Sequence, residues 1–184
     1  PERAEDTRRS MSIKVLVVDD SALIREVLSR TLGRAGDIEV VGTAEDPIEA
    51  REKIKALNPD VLTLDIEMPN MNGLQFLDRL MRLRPMPVVM VSTLTTKGAS
   101  ETLLALELGA VDFVAKPNAE LSGGIDAFGE NLRQKIRAAA HSDVQARAQR
   151  PEMPIVAIRS AAAPPGALIA LGASTGGVEA LRVV

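Results

Sequence analysis

Between Ile13 and about Ala140 the chain alternates short, continuous apolar runs with amphipathic stretches. The runs are Ile13–Val18, Ile38–Thr43, Val61–Leu64, Val88–Ser92 and Val111–Ala115. They are rich in β-branched residues and do not alternate with polar ones, the pattern of strands buried on both faces. The intervening stretches have helical spacing. Leu23, Val27 and Leu28 are expected to share one helix face. Asp46-Pro47-Ile48-Glu49 is a helix start: a capping acid, a proline in the first turn and a glutamate three residues after the cap. Gly109, just after Leu103–Leu108, reads as a helix stop. Five strand–helix units in succession predict an α/β fold, a doubly wound five-stranded parallel sheet of flavodoxin-like form.

Composition refines this picture. Hydrophobic residues make up 46% of the 184 but aromatic ones only 2%, so the core must be aliphatic. The net charge of -3 argues against nucleic acid as the main partner, since phosphate backbones demand clustered Lys and Arg. No helix-turn-helix with a basic face follows Ala140, so a DNA-binding regulator is disfavoured. The absence of Cys removes disulfides and thiolate metal sites and fits a reducing cytoplasm. The charged segment before Met11 lacks the apolar stretch of a secretory signal and reads as a tag or disordered tail. No uninterrupted apolar stretch could cross a bilayer, and a soluble, cytoplasmic protein is expected.

The chemistry sits at strand ends. Asp19 and Asp20 follow the first run, Asp65 the third; Ser92 closes the fourth and Lys116 follows the fifth. In a parallel sheet these ends share one edge, the edge where doubly wound folds bind ligands. Three carboxylates crowded together repel one another, and a divalent cation with oxygen ligands, Mg²⁺ above all, relieves this. The metal and a lysine can together screen an incoming phosphoryl group, while a carboxylate serves as nucleophile and becomes an aspartyl phosphate. Taken singly, Asp19 would read as a cap, Lys116 as a surface charge and Ser92 as a strand-end hydroxyl; their order carries the signal.

Val17-Val18-Asp19-Asp20-Ser21, Leu64-Asp65-Ile66-Glu67-Met68-Pro69 with Gly73, Val91-Ser92-Thr93 and Val114-Ala115-Lys116-Pro117 resemble the receiver domains of two-component signalling. The resemblance spans about Ser12 to Ala140. It implies Asp65 as phosphoacceptor, with Asp19, Asp20 and the backbone carbonyl of Glu67 completing the Mg²⁺ site. It implies Lys116 on the phosphoryl oxygens, ahead of a Lys–Pro peptide that is usually cis in that family. Ser92 and Phe113 would form the switch pair, the hydroxyl swinging to the phosphoryl group and the ring turning inward. Phe113 lacks the hydroxyl of a tyrosine, and it reads equally well as one ordinary core side chain.

A second signal follows. Residues 141–166 are rich in Ala, Arg, Gln and Pro and are expected to be a mobile linker. Residues 167–184 begin a new apolar run and reach Gly172-Ala173-Ser174-Thr175-Gly176-Gly177, a G-x-S-x-G pattern after a predicted strand that suits a nucleophile elbow and reads also as an ordinary Gly-rich strand-to-helix turn. A dinucleotide loop would want a third glycine where Val178 stands, and a phosphate P-loop would want a lysine. Receiver, linker and this turn in that order resemble the chemotaxis protein-glutamate methylesterases, and Glu67 and Ser92-Thr93-Leu94-Thr95 followed by Lys97-Gly98 fit the same family. The resemblance implies a chemotaxis histidine kinase as phosphodonor and methylated chemoreceptors as substrate. It implies Ser174 as nucleophile on the γ-glutamyl methyl ester, deamidation of receptor glutamines, and control by the phosphorylated receiver. The one histidine, His141, reads as a solvated linker residue, so no esterase activity is expected from these 184 residues. The alternative is a stand-alone phosphorylatable receiver acting through protein contacts.

Overall fold

A computed structural model describes residues 12–68, 71–93, 96–116 and 124–144, with backbone alone for 96–99. Ser174, Pro117, the expected tail at 1–11, most of the expected linker and all of 167–184 lie outside the described residues.

The elements run β1 (Ile13–Val18), α1 (Ala22–Gly33), β2 (Ile38–Ala44), α2 (Pro47–Leu57), β3 (Val61–Asp65), α3 (Gly73–Leu83), β4 (Val88–Ser92), α4 (Thr96–Glu107), β5 (Asp112–Ala115) and α5 (Gly124–Ala140). All neighbouring strands are parallel, in the order β2-β1-β3-β4-β5. Short strands joined through helices leave no other economical arrangement, because a parallel neighbour requires a crossover.

The sheet divides an aliphatic core into two layers. Val15, Val17, Val61, Val89, Val91 and Val114 face α1 and α5, which contribute Leu28, Leu32, Phe128, Leu132 and Ile136. Larger strand residues, Leu16, Leu62, Leu64 and Met90, face α2, α3 and α4. Each fully buried Leu or Val stabilises the fold by about 1.5–3 kcal/mol before entropy is counted. The valine layer lets α1 and α5 lie close to each other as well. A methyl group at Gly129 of α5 would come within 2.8 Å of the Thr31 side chain of α1.

Local signals act as expected at the helix ends. Asp46 caps α2, accepting from the N–H groups of Ile48 and Glu49 at 2.8 Å, and the Glu49 carboxylate reaches back to the N–H of Glu45. Gly109 adopts φ +107°, a conformation open to glycine, and turns the chain out of α4. Leu23 is the exception. It is 71% exposed, whereas Leu28, Thr31 and Leu32 form the buried face of α1. Five residues of helix rotate through about 140°, so Leu23 and Leu28 cannot share a face.

Thr63 is the one discordant member of the valine layer. It lies between Val17 and Val89, wholly buried, and its hydroxyl has no hydrogen-bond partner among the described residues. An unsatisfied buried hydroxyl costs about 1–3 kcal/mol, and valine has the same shape. Thr63→Val is therefore expected to raise unfolding stability in urea by about 1 kcal/mol; a loss of stability would show that the hydroxyl is satisfied.

Candidate functional site

The parallel sheet sends every strand's carboxyl end to one edge, and the reactive residues gather there. Asp19 and Asp20 follow β1, Asp65 is the last residue of β3, Ser92 the last of β4, and Lys116 follows β5. Asp65 lies inside the strand by one residue more than the sequence suggests, because it still pairs with Val91.

Each acid is held differently. The N–H of Asp19 donates to the Ala44 carbonyl at the end of β2, and its Oδ1 accepts from the N–H of Ser21 at 2.9 Å. Asp19 is fully buried, Asp65 is 1% exposed and Asp20 faces solvent. The backbone around Asp65 is fixed from below by Gly73, the first residue of α3. A Cβ there would lie 1.9 Å from the Asp65 carbonyl oxygen, so only glycine permits this contact, while its N–H donates to the Ile66 carbonyl at 2.9 Å. Asn72 caps the same helix by accepting from the N–H of Leu74.

Lys116 joins the acids. Its Nζ donates to Asp65 Oδ2 at 2.8 Å and lies 2.9 Å from Asp19 Oδ2. At these distances the one ammonium bridges the two buried carboxylates. Carboxylate oxygens of Asp19, Asp20 and Asp65 lie within 4.8 Å of one another. At such spacing two like charges repel by roughly 4 kcal/mol at an effective dielectric constant near 20. Three carboxylates against one ammonium leave two negative charges uncompensated. The oxygen-only donor set and this excess charge together fit a hard divalent cation.

The same forces act on proton affinities. Burial raises the Asp65 carboxyl most; the Lys116 ammonium pulls it back and the Asp19 charge raises it again, leaving it pushed up to about 6. Burial works against the Lys116 ammonium, but the bonds and charges of Asp65 and Asp19 outweigh it, so its proton is held above the usual lysine range.

Ser92 is buried, and among the described residues its hydroxyl makes only a long 3.4 Å contact with the carbonyl of Thr93. Glu67 is exposed two residues beyond Asp65. Phe113 is half-buried against the core layer of α2, α3 and α4. The Lys135 ammonium of α5 sits 5.5 Å from its ring centroid and 2.6 Å from Asp112 Oδ1, which also accepts from the N–H of Phe113. Lys135 and Arg25, which donates to the carbonyls of Asp19 and Asp20, escaped the sequence reading. Both are charged residues at helical positions, where a solvated face is the ordinary interpretation.

A groove of about 440 Å³ lies at the opposite, amino-terminal edge, lined among others by Asn58, Asp60, Arg84, Met86, His141 and Val144. It gathers no comparable set of reactive groups, so the chemistry belongs to the carboxyl edge. His141 lies here, its Nδ1 2.7 Å from the Arg137 carbonyl.

A 2-1-3-4-5 parallel sheet that sets a lysine against buried aspartates at this edge defines the class: a receiver-type fold. The chain matches the response regulator receiver domain family over residues 15–122, more than half its length, and belongs to that family. It is similar to the response regulator domain of Thermotoga maritima CheB, with 48% identity and a TM-score of 0.64, covering 72% of this chain and 98% of that one. Among curated proteins, it is 58% identical over 169 residues to protein-glutamate methylesterase/protein-glutamine glutaminase 1 of Caulobacter vibrioides, covering 92% of this chain and 48% of the relative. It is 53% identical over 182 residues to protein-glutamate methylesterase/protein-glutamine glutaminase 2 of Xanthomonas oryzae pv. oryzae, covering 94% and 51%. The chain thus spans about half the length of these curated relatives, and its receiver is of the CheB type.

The raised Asp65 carboxyl has a consequence for stability. Without metal, ionising Asp65 opposes folding, and this penalty is absent below the ordinary carboxyl value of 3.8, grows as pH rises to about 6 and is constant above it. In EDTA, Asp65→Asn is expected to be more stable than the parent at pH 8 by on the order of 2 kcal/mol and no more stable at pH 4. Lys116 keeps Asp19 as partner in the variant. A pH-independent difference between the two urea curves would contradict the raised value.

Proposed function

We propose that Asp65 is the phosphoacceptor of this receiver and that its phosphorylation controls a downstream protein-glutamate methylesterase domain. The observation that carries the proposal is the buried Asp65 carboxylate held 2.8 Å from the Lys116 ammonium beside two further acids. An Asp65 oxygen attacks the phosphorus of a phosphohistidine on a chemotaxis histidine kinase. The P–N bond breaks, the imidazole keeps its electron pair, and an acyl phosphate forms. Asp19, Asp20, Asp65 and the carbonyl of Glu67 would hold Mg²⁺, which when bound screens the negative oxygens of the incoming group.

The remaining roles follow from positions already described. Lys116, free of Asp65 once that oxygen is esterified, moves its ammonium to a phosphoryl oxygen. The Ser92 hydroxyl, spent only on a long local contact, turns to another. Phe113, lodged at the rim of the core with Lys135 over its ring, rotates inward behind it and alters the α4–β5–α5 surface. These movements are local charge changes that bias a two-state surface.

We assign residues 12–140 to the receiver, 141–166 to a linker, 167–184 to the start of the catalytic domain and 1–11 to a tail. Ser174 would act as nucleophile on methylated chemoreceptors, giving glutamate and methanol, and would also deamidate receptor glutamines, in the cytoplasm. Its base and acid partners lie outside these 184 residues: the one histidine, His141, hydrogen-bonds to the end of α5 in the edge opposite Asp65. Among the described residues no helix is long and apolar enough to cross a membrane.

With Mg²⁺ and acetyl phosphate, the intact mass should rise by one phosphoryl group, and Asp65→Asn should show no gain; equal labelling of the variant would defeat the assignment. The 184-residue chain should hydrolyse no receptor methyl ester. Turnover that disappears in Ser174→Ala would disprove the claim that the triad is incomplete.

A further inference from the structure

We infer that Arg25 is a positioning residue for the cation site, holding the Asp19–Asp20 backbone so that the Asp20 carboxylate is presented to the metal. The inference rests on the proposal that Asp19, Asp20 and Asp65 bind Mg²⁺.

Arg25 lies near the start of α1 and folds back over the loop that precedes it. One guanidinium nitrogen, Nη1, donates to the carbonyl of Asp19 at 2.8 Å and to that of Asp20 at 3.0 Å. The other, Nη2, lies 3.8 Å from Glu45 Oε2 beyond the end of β2. The side chain is only 18% exposed, whereas Glu45 is 67% exposed, so the surface pair contributes little and the carbonyl clamp is the buried part. Its location is unfavourable for the helix itself. A cation near the amino end of a helix opposes the macrodipole, and no acid in the first turn of α1 offsets it. The residue is therefore placed for the loop and not for the helix.

The two acids need the clamp unequally. The Asp19 carboxylate is anchored independently, by the N–H of Ser21 and by Lys116, and its N–H is tied to Ala44. The Asp20 carboxylate is exposed and has no such anchor among the described residues. Its direction is set by the backbone of residue 20, and that backbone is held through its carbonyl by Arg25. Groups outside the ligand set that orient the ligands typically alter metal affinity 10–100-fold when lost.

Charge and position predict opposite signs, which makes the inference decidable. A guanidinium near a divalent cation repels it, so a purely electrostatic role predicts tighter Mg²⁺ binding when the charge is removed. A positioning role predicts weaker binding. Isothermal titration of the 184-residue chain with MgCl₂ should give a Kd 10–100-fold weaker for Arg25→Met, which keeps the stem but loses the donors. Urea unfolding in EDTA should show the variant folded. An equal or tighter Kd for folded Arg25→Met overturns the inference. If that variant does not fold, Arg25→Lys decides, since it keeps the charge but loses the planar guanidinium: a Kd weakened several-fold supports positioning, and an unchanged Kd refutes it. Wild-type protein that binds no Mg²⁺, or binds it equally after Asp20→Asn, refutes the cation site itself and is distinguishable from failure of the Arg25 role.

Discussion

One ammonium group, Lys116 Nζ, lies between two buried carboxylates at the carboxyl edge of the sheet, and the rest of the site is arranged around its insufficiency. It neutralises one charge where three acids converge. The remaining negative charge is concentrated at that edge, and burial is what keeps water from dissipating it. The position of that ammonium depends on β5 pairing with β4, which brings the Lys116 N–H to the Ser92 carbonyl at 2.8 Å. The sheet register and the electrostatics are thus one constraint: shift a strand by one residue and the lysine leaves the acids.

Strands and helix ends were readable from sequence because their causes are local. Continuous β-branched runs can be buried on both faces only in a covered parallel sheet, and Asp46 or Gly109 acts on its immediate neighbours. The acids and Lys116 were readable as a set because strand ends in a parallel sheet are forced to one edge. Leu23 was misread because helical phase accumulates: five residues carry a side chain well off the face. Arg25 and Lys135 were illegible for a different reason. Their partners are backbone carbonyls and a ring at fixed distances in space, and a charged residue on a helix gives no sequence sign of which it will find.

The side chains near the site also differ in how firmly they are held. The Asp65 and Lys116 side chains are committed to one another. The Ser92 hydroxyl has only a long contact, and Phe113 is packed on one side and capped by a solvent-edge cation on the other. Turning the Ser92 hydroxyl therefore breaks little, whereas moving Phe113 gives up core packing and a cation–π contact.

Gly124–Ala140 runs back down the sheet, so Ile13 and Ala140 both lie at the rim far from Asp65. This makes the domain a graftable cassette. Sequences joined at either point start on the rim opposite the acids, away from Asp65 and Lys116. Exchange of such attached sequences leaves undisturbed the strand register that holds Lys116 among the acids.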